Sequence, residues 1–185
     1  MTTCLGLDPG TRYLAWAIIR TDAPPETGCL RGMDIRSSRC PRGMPWPRVL
    51  AELVRGLDGM VHECQPDVIA CEATQPNLSR DRTDAQAASQ LVNTQRTEQL
   101  IGHVRALAAS CGARFALVSP QASLQPLGLS RGATDRQAAE AYTRLTGRKL
   151  LVRDHHEARA WGVAVRGERE ARLQAATAGQ GRLAV

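Results

Sequence analysis

The feature that most constrains this chain is its opening stretch, an apolar run from Thr3 to Leu7 that stops abruptly at Asp8, Pro9 and Gly10. A run this short, bounded by turn residues, suits a buried central strand. Pro9 and Gly10 cannot continue a ladder and mark a tight turn. Asp8 then sits at the carboxyl end of the strand, where open sheets place their ligands. Carboxylates are rarely buried without a partner, so a metal, a base or a hydrogen-bond donor is expected beside it. Asp before Pro-Gly is also ordinary turn chemistry. From this stretch alone both readings stand.

The order of elements narrows the fold. Tyr13 to Arg20 reads as a second strand, antiparallel to the first across the Pro-Gly turn. Asp22 to Gly28, with Pro24 and Pro25, reads as a turn, and Gly28 to Arg36 as a third strand. After a Pro/Gly/Arg loop over 37–47, Val49, Leu50, Leu53, Leu57, Met60 and Val61 recur at helical spacing, giving a helix to about Cys64. Val68 to Thr74 is a second continuous apolar run, and it too carries one acid near its end, Glu72. Strand, helix, strand in succession implies a parallel, right-handed crossover.

Thr83 to Gln86 fits a capping box and opens a long helix to about Ser110, packed through Ala87, Leu91, Leu100, Ile101, Val104, Leu107 and Ala108. Phe115 to Val118 is a fifth strand and Ser119 to Gly132 a loop. Thr134 to Gln137 caps a helix to about Leu145, and a final helix starts near Asp154. The expected architecture is one α/β domain, a mixed five-stranded sheet flanked by helices, over residues 1–167. Residues 168–185, rich in Ala, Arg, Gln and Gly, are expected to form a frayed or helical tail.

Bulk properties exclude several classes. At 185 residues the chain holds one domain with a core and not two large lobes. No apolar run approaches the roughly 20 residues of a membrane span and no signal pattern opens the chain, so a cytoplasmic protein without membrane contact is expected. The six cysteines form no C-x-x-C pair, which disfavours a zinc site or a disulfide framework. Net charge is +6, and every cationic side chain except Lys149 is arginine. Arg forks bind phosphate bidentately, so this surplus tilts toward a polyanion partner.

The acids sharpen that tilt. Asp8 and Glu72 are delivered by strands expected to lie side by side and parallel. Asp154 and Glu157, three apart at a helix start, share one face, although that spacing is also a plain capping pattern. Two unit charges about 4 Å apart repel by about 4 kcal/mol at an effective dielectric near 20. Three or four acids at one sheet edge therefore call for a cation, and carboxylate ligands suit Mg²⁺ or Mn²⁺. Two such ions activate a water and stabilise the leaving oxygen of a phosphodiester.

Gly6-Leu7-Asp8-Pro9-Gly10-Thr11-Arg12 resembles the opening motif of the RuvC Holliday-junction resolvases, members of the RNase H-like nuclease superfamily. Cys71-Glu72-Ala73 is similar to that family's second acid motif. Asp154-x-x-Glu157-Ala158-x-Ala160 resembles its last motif, Asp or His, two residues, then Asp-Ala-x-Ala. The motifs keep order and spacing over about residues 3–166. The resemblance implies an RNase H-like fold and a homodimer that binds branched DNA, four-way junctions, and nicks two strands with divalent metal, two ions per site. It implies Asp8, Glu72, Asp154 and Glu157 as catalytic, metal-binding acids, with the long helix as the dimer helix.

Several positions depart from the family pattern. Glu157 stands where Asp is usual, the loop after Glu72 reads Gln75-Pro76-Asn77-Leu78 without an aromatic, and Ser123 stands where a basic residue is expected. Arg12, Arg80, Arg82, Arg131 and Arg136 are the candidate DNA contacts. His155 and His156 flank the last acids as auxiliary groups, a proton donor or outer ligand, or as residues turned to solvent. Two other readings compete: an RNase H-like nuclease for flaps, single strands or hybrids, and a junction-binding module that does not cut. A two-lobed ATPase is excluded by size.

Overall fold

A computed structural model describes residues 2–21, 23–31, 45–74, 83–150 and 155–180. Strands β1 (Thr3–Pro9), β2 (Tyr13–Arg20) and β3 (Ala23–Arg31) precede helix α1 (Trp46–Cys64). Strand β4 (Val68–Glu72), helix α2 (Asp84–Cys111) and strand β5 (Arg114–Val118) follow. Helix α3 (Pro120–Leu124) runs into a 3₁₀ turn (Gln125–Leu127), and α4 (Asp135–Thr146) and α5 (His155–Gln180) complete the chain. The five strands form one sheet in the order β3-β2-β1-β4-β5. β1 pairs antiparallel with β2 and β2 with β3, while β1–β4 and β4–β5 are parallel. The expected mixed sheet is therefore present, with β1 at its centre.

The register of the parallel pair is pinned where the strands begin. The Thr3 amide donates to Asp67 Oδ2 at 2.8 Å, and the Asp67 amide donates to the Thr3 carbonyl at 2.9 Å. Both strands are buried on both faces, as parallel strands under helices require. One face carries Leu5, Leu7, Leu14, Ile18, Ile69 and Cys71 into a core with α1 and the second half of α2. The other presents small side chains, Cys4, Ala15, Ala17 and Ala70, to Ala160, Val163, Ala164 and Ala171 of α5. Burial pushes the Cys4 and Cys71 thiols up, in keeping with cysteine used as a small apolar residue.

Glycines let α5 settle very close to the sheet. A Cβ on Gly6 would lie 2.3 Å from the Ala160 carbonyl oxygen, and one on Gly167 2.3 Å from the Ala70 Cβ. Gly162 does the same on the flank, where a Cβ would meet the Ser123 carbonyl oxygen at 1.9 Å. Leu124, Leu127, Ala138, Ala141, Tyr142 and Ala158 form a smaller core beside α5.

Four expectations need correction. β3 (Ala23–Arg31) begins at Ala23 rather than Gly28, so Pro24 and Pro25 lie in a strand and not a turn. β3 is an edge strand, where proline is tolerated, and its register with β2 shifts between Ile18 and Arg20, opposite the two prolines. Residues 32–36 lie outside the described residues. Ser119 to Gly132 is not all loop: Ser119 accepts from the Ala122 amide and Pro120 opens a short helix. Ala87 and Leu91 do not pack in the core, because no residue of α2 before Thr97 is buried. Both predicted capping boxes, at Thr83 and Thr134, are formed. Beyond Gly167, α5 continues to Gln180, and Arg114 Nη1 donates to the Ala171 carbonyl at 3.1 Å.

Candidate active site

Alternation along two strands places the two central acids. In β1, Cys4, Gly6 and Asp8 face α5; in β4, Val68, Ala70 and Glu72 do. Leu7 pairs with Cys71, so one residue on, Asp8 comes level with Glu72 at the carboxyl ends of adjacent parallel strands. Both are buried, at 5% and 8% exposure. Just beyond, the Gly10 amide donates to the Tyr13 carbonyl at 2.9 Å and closes the hairpin. A Cβ on Gly10 would lie 2.3 Å from the Tyr13 ring, so only glycine lets the ring lie across this turn.

The first turn of α5 covers the pair. His156 Nδ1 lies 2.7 Å from Asp8 Oδ2 and 3.0 Å from the Tyr13 hydroxyl, and its ring packs 4.2 Å from the Tyr13 ring. His155 stacks on His156 at 3.9 Å and reaches Asp135 Oδ2 at 3.4 Å. Both histidines thus meet protein partners instead of pointing only to solvent.

Glu72 is held by two groups that the sequence did not bring forward as site residues. The fully buried Ser123 donates its hydroxyl to Glu72 Oε1 at 2.5 Å, and Arg159 Nη1 stands 3.9 Å from the same oxygen. Burial and then the negative charge of Asp8 push the Glu72 carboxyl up to about 8; the Ser123 hydrogen bond and the Arg159 charge pull the other way.

Glu157 Oε2 accepts from Thr27 Oγ1 of β3 at 3.1 Å. Thr27 pairs with Ala17 and Ala17 with Gly6, so this bond lies in the row of Gly6, two residues before Asp8 in β1. Asp154, Arg80 and Arg82 lie outside the described residues. Arg12 and Arg131 are exposed, and Arg136 is exposed and paired with Glu140 at 2.7 Å. Among the described residues, no three His, Cys, Asp or Glu side chains gather as a metal-binding group.

The signal for His156 was available. Ala160, Ala164, Gly167 and Ala171 repeat at spacings of three and four, forming the stripe of α5 that meets the sheet. One turn back on that stripe is position 156, with 157 beside it. Arg159 falls one turn after His156, with Gly162 three further on against Ser123.

No protein-family model matches the chain. A crossover junction endodeoxyribonuclease RuvC of Chloroflexus aggregans is 38% identical over 68 residues, 37% of this chain and 39% of that protein. The match thus spans about two fifths of that relative. The RuvC of Thermus thermophilus, solved in complex with a Holliday junction substrate, superposes with a TM-score of 0.67 at 17% identity, covering 94% of this chain and 97% of that one. The yeast mitochondrial Holliday junction resolvase superposes with a TM-score of 0.55 at 17% identity, over 91% of this chain and 78% of the other. The fold of the chain is that of these RNase H-like structures.

Proposed function

We propose that the chain is a structure-selective DNA endonuclease that resolves four-way junctions by paired, metal-dependent nicks. One observation carries this reading: two buried carboxylates, Asp8 and Glu72, side by side at the ends of adjoining parallel strands in a RuvC-like fold. The donor set fits Mg²⁺ or Mn²⁺, since it is made of carboxylate oxygens, the hard donors these ions take. Asp8 and Glu72 would hold the ions, with Asp154 and Glu157 as further ligands. The chemistry that bound divalent ions supply is activation of a water and stabilisation of the leaving oxygen.

The chain's own groups orient the carboxylates. Ser123 fixes Glu72 Oε1, and His156, itself held by the Tyr13 hydroxyl, contacts Asp8 Oδ2. Arg12, Arg80, Arg82, Arg131 and Arg136 would hold the DNA arms through phosphate, where arginine forks are best suited. Resolution of a near-symmetric substrate calls for two sites, hence a twofold dimer. The exposed first half of α2, with Leu91 at 60% and Val92 at 42% exposure, offers the face for it.

A junction-binding module that does not cut is favoured by one observation, the engagement of Glu157 with Thr27. A panel of four-way junction, flap, duplex and RNA–DNA hybrid substrates, each with Mg²⁺, Mn²⁺ or chelator, separates the readings. Nicking of the junction in metal supports resolution, whereas preference for flap or hybrid moves the chain to another RNase H-like activity. Tight junction binding without nicking under any metal leaves the binding module.

A further inference from the structure

The guanidinium of Arg159 has an arrangement that neutralising Glu72 does not explain. Its Nη1 approaches Glu72 Oε1 only to 3.9 Å, beyond the 2.7–3.2 Å of a hydrogen bond. Ser123 already occupies that oxygen at 2.5 Å. Among the described residues, Glu72 is the only acceptor within ion-pair reach of Arg159, so the donors of the fork are not consumed by it. A guanidinium whose task was to pair with a carboxylate would take both oxygens in parallel. The side chain is nevertheless largely buried. It is 22% exposed, and the close approach of Gly162 to the Ser123 carbonyl fixes this turn of α5 against α3. Among the described residues the result is a largely buried cation, with donors to spare, at the rim of a buried dicarboxylate.

We infer that Arg159 binds a non-bridging oxygen of the phosphodiester that enters this site, its planar fork bridging that oxygen and Glu72. The inference rests on the nuclease reading for the identity of the phosphodiester, but not for the presence of an anion. The charge of Arg159 acts on Glu72, pulling its carboxyl down. In the filled site Arg159 turns its remaining donors on the substrate, where each phosphate neutralised by a protein cation releases counterions.

The test is Arg159→Gln and Arg159→Lys in the full chain, with three readouts: nicking of a four-way junction in Mn²⁺, the slope of log affinity against log salt on the same junction in Ca²⁺, and the melting temperature. The Gln variant should nick about 100-fold more slowly, as when one preorganised donor to a developing anion is removed. Its salt slope should fall by about 0.9, the loss of one phosphate contact. The Lys variant should keep the slope and recover only part of the rate, because a point charge cannot bridge two oxygens. An unchanged slope in the Gln variant would overturn the inference, and so would nicking at the parental rate by either variant. If the Gln variant does not fold, the Lys variant decides, a partial rate supporting the bridge. If the parent binds DNA but nicks nothing, the nuclease reading fails while the slope still tests Arg159.

Discussion

At the residue scale Glu72 is a strongly perturbed acid of the site. An acid whose folded pKa is raised holds its proton longer when folded than when unfolded. Its unfavourable effect is absent below its ordinary value of 4.5 and fully present above about 8. Metal-free protein should therefore lose stability as pH rises from 5 to 8, by on the order of a few kcal/mol. Urea midpoints across that range measure it, and Glu72→Gln should flatten the curve. A stability that climbs with pH in the parent would show that Glu72 is not so strained. Ser123 gives a second expectation. Ser123→Ala leaves a buried carboxylate oxygen without its donor and should lower stability by about 1–3 kcal/mol, read from the same midpoints. Junction binding should survive it, since Ser123 is fully buried and out of reach of DNA.

At the scale of elements, the approach of α5 to β1 sets the site. Gly6→Ala places a methyl group 2.3 Å from the Ala160 carbonyl and 2.4 Å from the Ala164 amide, both backbone atoms. The helix must lift, at about 3 kcal/mol, and thermal denaturation should show it. Gly59→Ala is the contrasting change, in α1 with nothing within 4 Å of the new Cβ, and should stabilise by up to about 1 kcal/mol. Equal effects of the two would contradict the close crossing. The same crossing explains which parts of the site were legible in the sequence. Asp8 and Glu72 end uninterrupted apolar runs, so strand period alone oriented them. The side chain of α5 that meets Asp8 depends on helix rotation, set by the small-residue stripe from Ala160 to Ala171. Read from the sequence, the local spacing of Asp154 and Glu157 takes precedence over that stripe, and so His156 stands there only as an auxiliary. Ser123 and Arg159 reach Glu72 from elements far apart in sequence, a contact that no local spacing encodes. β3 was misplaced for a different reason: proline usually breaks strands, but not at an edge with a register shift.

At the scale of the whole molecule, a sheet with α5 on one face and α1 and α2 on the other leaves the first half of α2 uncovered. Its exposed Leu91 and Val92 should lie in the proposed twofold interface. Leu91→Arg should shift the chain toward monomer in sedimentation velocity while leaving its melting temperature within about 0.5 kcal/mol equivalent, as for an exposed position. Paired nicking should then decay into single, uncoordinated nicks. No helix among the described residues is long and apolar enough to cross a membrane. The surplus of positive charge, +6 overall, suits a polyanionic partner.

The central claim is that Asp8 and Glu72 form a metal-dependent centre for cutting branched DNA. The most direct measurement is nicking of a synthetic four-way junction by the parent chain and by Asp8→Asn, each with Mn²⁺ and with excess chelator. The account predicts nicks by the parent in metal alone and a loss of at least about 1,000-fold in Asp8→Asn, as expected when a central electrostatic group is removed. Parental nicking in chelator, or undiminished nicking by Asp8→Asn, would contradict it.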